Sequence, residues 1–238
     1  MKQVDIQTTY RLHTGSALSA EQPSEPSKTV LRRLSLLDQF DKEPVTVLAE
    51  LHGGLRPAIA HLFVTFGFGD DRLAISIEAR KDRTKPYATV PGFFRQYELV
   101  YIIADERDVI RVRTNYRKSP PEEVYLFRVM GSPENGRRIF LDYLRDINEL
   151  REHPRFDNTL TTNCTAMILA HAAVNPSPIP NSWKVLLSSY APEYAYDRGR
   201  LDRSMPFEEL KRRAHINAVA RAADQAPDFS RRIRAGLP

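Results

Sequence analysis

The sequence holds a single cysteine among 238 residues. One thiol excludes an intrachain disulfide and any cysteine-rich metal cluster, so cysteine usage says nothing about redox compartment. Cys164 is therefore either a reactive group or core filler. Long apolar runs are also missing. None approaches the roughly 20 residues that a membrane-spanning helix needs, and the opening MKQVDIQTTYRLHTG lacks the apolar stretch of an export signal. As written, the chain is expected to stay in the cytoplasm. The six histidines show no metal-ligand spacing, which argues against zinc, and no cofactor is expected. No internal repeat is present. Neither sign of charge dominates: 35 Lys and Arg against 30 Asp and Glu give +5. That balance favours anionic surfaces such as a phospholipid headgroup or an acidic glycan, and is too evenly spread to indicate a nucleic-acid partner.

What is present is enough apolar sequence, 42% of the residues, to bury one main core. Residues 1–44 are expected to be poorly ordered, because GSALSAEQPSEPSK (Gly15–Lys28) is small, polar and proline-interrupted. The fold is expected from about Val45 to Ala223. Its most legible segment is HLFVTFGFGDDRLAISIEA, two alternating strands joined by a two-residue loop at Gly69 and Asp70. This register sets Leu62 against Ile77, Val64 against Ile75 and Phe66 against Leu73, one continuous apolar face. The other face carries His61, Phe63, Thr65, Ser76 and Glu78, with His61 opposite Glu78. Further strands are predicted at Glu98–Ala104, Val109–Thr114 and Val124–Val129. Ser132 and Pro133 predict the start of a helix running to about Arg151, with an apolar stripe of Ile139, Phe140, Tyr143, Leu144, Ile147 and Leu150. Helices are also predicted from Asn163 to Val174 and from Phe207 to Ala223. Strands first and helices after predict an α+β fold built on a mostly antiparallel sheet.

The segment TLTTNCT puts Cys164 in the first turn of a helix, where unpaired N–H groups and the helix dipole lower a thiol pKa from about 8.5. The alternative is a small buried side chain that only packs. A thiol site needs a base that takes the thiol proton and returns it to a leaving group. His13, His153, His171 and His215 read as tail, surface or packing residues, leaving His52 and His61. His61 is the better placed, with Glu78 positioned to fix its tautomer; a structural His61–Glu78 pair is the alternative.

The segments AHLFVTFGFGD, LAISIEARKD, GFFRQYELVYIIADERDVIRVRTNYR, VYLFRV, FLDYL and FDNTLTTNCTAMI resemble, in order, those of the Lnb N-terminal periplasmic domain family. That family is similar to permuted NlpC-like, papain-related thiol enzymes, in which a strand histidine precedes a helix-start cysteine. The resemblance implies a permuted NlpC-like fold and an Lnb-type domain over 45–205; after it, the residues themselves predict a C-terminal helix over 206–225 and, from Arg231, Arg232 and Arg234 among few apolar residues, a solvated basic tail over 226–238. It implies Cys164 as nucleophile, His61 as base and Glu78 as orienting group. It also implies acyl transfer from phospholipid to lipoprotein amines through a thioester, on the periplasmic side of the inner membrane. Arg80, Lys81, Arg95 and Asn163 are candidate substrate contacts, and Arg111 and Arg113 further candidates for an anionic headgroup. Phe93, Phe94 and Tyr97 are candidates to line an acyl groove. Two other readings stay open: an inactive binding module of the same fold that grips lipid or a protein, and a fragment of a membrane protein.

Overall fold

The computed structural model describes residues 40–52, 60–80, 98–117, 122–156, 163–176, 180 and 182–238, with 40–52, 79 and 80 described by their backbone. Five strands form one sheet: β1 (Phe40–His52), β2 (Ala60–Phe68), β3 (Asp71–Arg80), β4 (Glu98–Asp105) and β5 (Glu122–Arg128). Their order is β4-β3-β2-β1-β5, and every neighbouring pair is antiparallel. Among the described residues the helices are α1 (Glu106–Arg111), α2 (Pro133–Glu152), α3 (Cys164–Ala172), α4 (Trp183–Leu186), α5 (Ala191–Asp197), α6 (Phe207–Ala214), α7 (Asn217–Ala223) and α8 (Phe229–Arg232). The fold is α+β, as expected.

The β2–β3 hairpin has the expected register, with Val64 paired to Ile75 and Phe66 to Leu73. Gly69 closes its loop at φ 61°, the left-handed value that a type II′ turn demands of its first central residue. The Val64 and Phe66 face packs on α2 and α3 through Ile75, Ile77, Phe140, Tyr143, Leu144 and Met167. The opposite face is not open either. Phe63, Thr65 and Ser76 are buried, and α1, α7 and α8 cover that side with Ile110, Ile216, Ala220 and Phe229.

Side-chain caps mark the starts of α2 and α3. Ser132 Oγ accepts from Asn135 N at 3.2 Å and Pro133 opens α2, which ends at a His153 C-cap. Asn163 caps α3 by accepting from Ala166 N at 2.8 Å.

Four expectations need correction. Val109–Thr114 is not a strand. Asp105 caps a helix there by accepting from Arg107 N at 2.9 Å, and Glu106 and Asp108 suit its first turn. The buried residues Val109, Ile110, Arg113 and Thr114 follow helical spacing, and a π turn over Val112–Tyr116 closes with Arg117 N donating to Val112 O at 3.0 Å. The helix predicted over Phe207–Ala223 is two helices. It breaks at His215 and Ile216, where Ile216 N donates to Val124 O at 3.0 Å and His215 bridges Tyr125, covering the edge of β5. Residues 226–238 are not a solvated basic tail. Phe229 and Ile233, one helical turn apart, are buried, and Arg234 pairs with the fully buried Glu106. Finally, the sheet begins at Phe40 rather than Val45, and the unpredicted β1 lies inside it between β2 and β5.

Candidate active site

The N-terminal end of α3 meets the beginning of β2, which brings Cys164 to His61. The two side chains are hydrogen-bonded to each other. On its other side the imidazole meets the end of β3: His61 Nε2 lies 2.7 Å from Ser76 Oγ and 2.9 Å from Glu78 Oε1. Ser76 Oγ in turn donates to Glu78 Oε1 at 2.7 Å. With Nε2 engaged by the hydroxyl and the carboxylate, Nδ1 is the ring nitrogen left for the thiol. The ladder from Phe63–Ser76, carried outward in the same register, accounts for this placement, because His61, Ser76 and Glu78 then share one face.

Electrostatics make the cluster an ion-pair relay. Burial would depress the His61 imidazole, but the Glu78 carboxylate and the Cys164 sulfur outweigh it and raise the pKa to about 10. Burial would raise the Cys164 thiol, yet its hydrogen bond to His61, the imidazolium charge and the Leu62 backbone N–H bring it below its ordinary value. Glu78 is likewise opposed by burial, and His61, Ser76 and Arg113 hold its carboxyl down to about 2. All three shifts favour the charged forms, thiolate, imidazolium and carboxylate in a row. Such a thiolate is a nucleophile, and such an imidazolium is poised to protonate a leaving group.

The helix start supplies hydrogen-bond donors. Asn163 takes the Ala166 amide, and the amides of Cys164 and Thr165 in the same first turn have no acceptor within the helix. A cavity of about 140 Å³ lies between the sheet and the helices α2 and α3, about the size of one that holds a benzene ring. Its walls are largely apolar, with Leu62, Val64, Ile139, Ile168, Leu169 and Ala172 among them. Leu62 and Thr165, chain neighbours of His61 and Cys164, both line it.

Cys164, His61 and Glu78, the three residues singled out from sequence, are thus brought together. Asn163 is a helix cap, and Arg80 ends β3. Lys81, Arg95, Phe93, Phe94 and Tyr97 lie outside the described residues. Arg111 and Arg113 are not on a solvated strand face. Arg111 pairs with Asp224 at 2.9 Å, and Arg113 is buried with its guanidinium 4.9 Å from the Phe63 ring centre. His171 is buried in a separate cluster, with Nδ1 2.9 Å from Asp142 Oδ2 and Nε2 2.8 Å from the Tyr101 hydroxyl. Sequence reasoning missed Ser76 as part of the relay, although its place on the His61 face was legible from the register. It also missed Tyr143 as a wall of the cavity, since helical spacing marks that residue only as core.

No helix among the described residues is long and apolar enough to cross a membrane. No curated protein and no solved structure matches the chain. The model of one family, described as the Lnb N-terminal periplasmic domain, matches residues 35–189, a span that contains the whole sheet, α3 and the three residues of the relay. The chain belongs to the Lnb N-terminal periplasmic domain family.

Proposed function

We propose that this protein is a cell-envelope cysteine acyltransferase or hydrolase acting on lipid ester, thioester or amide bonds. The observation that carries the reading is the Cys164–His61–Glu78 relay, whose charges are displaced in the directions that nucleophilic thiol catalysis needs. The Cys164 sulfur attacks the carbonyl carbon, and the carbonyl π pair moves onto oxygen. As the carbonyl reforms, the bond to the alkoxide, thiolate or amine breaks and the His61 imidazolium hands that group its proton. Water or an acceptor amine then attacks the thioester carbonyl while neutral His61 takes its proton; the carbon–sulfur bond breaks, the acyl group leaves on the acceptor, and the Cys164 thiolate and His61 imidazolium are restored, with Glu78 keeping the ring oriented throughout. The apolar cavity lined by Leu62 and Thr165, the chain neighbours of His61 and Cys164, suits an acyl chain. A strand histidine ahead of a helix-start cysteine is the order of permuted NlpC-like thiol enzymes, and that likeness forms part of the proposal. So do a phospholipid or lipoprotein substrate, contact with a membrane surface and action on the periplasmic side of the inner membrane.

The test is the pH dependence of iodoacetamide alkylation at Cys164 in the folded protein, for wild type and His61→Ala. Wild type is expected to react with an apparent pKa well below the free-thiol value of about 8.5, and the substitution to restore it. A thiol that titrates normally in both proteins, or reacts only on unfolding, overturns the proposal.

A further inference from the structure

Cys164 is not the only residue of α3 that meets a polar partner on the sheet. His171, seven residues further along, returns to nearly the same side of the helix, because seven steps of about 100° fall about 20° short of two turns. It is buried, with Nδ1 2.9 Å from Asp142 Oδ2 on α2 and Nε2 2.8 Å from the Tyr101 hydroxyl on β4. Tyr101 in turn donates to Asp146 Oδ2 at 2.5 Å, and the other oxygen of that carboxylate accepts from Arg155 at 2.5 Å. The imidazole also stacks on Tyr143 of α2, with ring centroids 3.8 Å apart. Both ring nitrogens and one ring face are thus engaged, by residues that take no part in the relay.

An apolar side chain would fill this position without desolvating ionisable neighbours. A fully bonded polar cluster instead fixes one arrangement of the elements that carry it, here α2, α3 and β4. The helix α3 starts at β2, where Cys164 meets His61, and passes β3, whose Ile75 and Ile77 share a core with Met167. It ends at β4, where His171 meets Tyr101. The lengths agree. Seven residues of helix rise about 10.5 Å, and β2 to β4 is two strand spacings, about 9.5 Å. A movement of α3 that carried the sulfur off His61 would therefore strain the bonds at His171. We propose that His171 is a positioning residue: bonded to Asp142 and Tyr101, it pins the C-terminal end of α3 and so holds the Cys164 sulfur against His61. This inference rests on the acyl-transfer reading only in taking Cys164 as the reacting group, and no step of the reaction passes through His171.

The test follows iodoacetamide alkylation of Cys164 against pH, with thermal melts, in the full chain for wild type, Tyr101→Phe, His171→Phe and the double variant. Each substitution keeps a ring in the core and breaks the same contact between Nε2 and the phenol; Asp146 keeps Arg155, and Asp142 is part-exposed. In each single variant the apparent thiol pKa should climb towards about 8.5, with alkylation near neutral pH slowed about tenfold. His171→Phe, which also gives up Asp142, should show the larger change. The double variant should match it rather than exceed it, because the two substitutions remove one shared bond. Leu210→Ala, in a separate core cluster on α6, is the control: it should lower the melting temperature and leave the alkylation profile in place. Profiles unmoved in Tyr101→Phe and His171→Phe overturn the role of His171 and leave the acyl-transfer reading standing. A Leu210→Ala profile displaced as far as theirs also overturns it, since the thiol then reports general loosening. A wild-type thiol that titrates at its ordinary value overturns both.

Discussion

At the scale of single residues, the decisive contrast is between two histidines on the same three-layer core. His171 is the more deeply buried and has two ionisable neighbours, yet it faces no nucleophile. His61 is partly exposed and stands between a sulfur and a carboxylate, and those two partners together overcome the effect of burial. Glu78 is the larger of the opposing contributions, so it sets the charge on His61. Because the folded-state pKa is raised, the stabilisation from protonated His61 is complete below about 6.5 and is lost as pH climbs through about 10. Replacing the carboxylate by an amide keeps the shape and removes the charge. In Glu78→Gln the His61 pKa should move from about 10 towards its ordinary 6.5, closing that window from the alkaline side. A titration of the histidine ring resonances by NMR reads the change directly. An unmoved His61 resonance would assign the shift to Cys164 and reduce Glu78 to a packing partner.

Elements are where sequence reasoning succeeded unevenly, and the reasons are physical. The hairpin and α2 were legible because each carries redundant signals, an alternating pattern with a Gly–Asp loop in one and a Ser–Pro cap with a 3.6-residue stripe in the other. Val109–Thr114 misled because alternating arginines imitate a strand, while the Asp105 cap four residues upstream outweighs them. The strand β1 went unread because VTVLAELH lies next to a polar, proline-broken stretch, and only pairing with β2 and β5 reveals its place. The helix α3 was legible at its start, and that start is what tunes the thiol. Asn163→Ala should cost about 1 kcal/mol through loss of the cap to Ala166 N. Asn163→Asp should retain the cap and the stability, yet place a negative charge beside the thiolate and raise the Cys164 pKa. Thermal melts and alkylation pH profiles on the pair separate capping from electrostatics. If both variants keep the wild-type profile, the helix start contributes nothing to thiol reactivity.

On the scale of the whole molecule, the last residues belong to the core that supports the site. Arg234 reaches from beyond α8 to Glu106 at the head of α1, 2.5 Å from Oε1, and Ser230 donates to the other carboxylate oxygen at 2.6 Å. Burial opposes the charge on Glu106, but Arg234 and Ser230 hold its carboxyl below the usual range. The helix α1 leads directly into the π turn that carries Arg113, one of the groups that keep Glu78 ionised. This chain of contacts ties the C-terminus to the relay, which residue spacing did not reveal because the pair is 128 positions apart. Arg234→Met should leave a buried carboxylate unpaired and cost about 3–5 kcal/mol in urea denaturation near neutral pH. Since the folded-state pKa of Glu106 is depressed in wild type, its contribution is present above about 4.5 and is lost as pH falls. The gap between the two proteins should therefore narrow in acid. Adding Glu106→Gln to Arg234→Met removes the orphaned charge and should recover much of the loss. A small, pH-independent difference would instead mark the C-terminal segment as a loosely attached appendage, and would cut the proposed link between it and the thiol site.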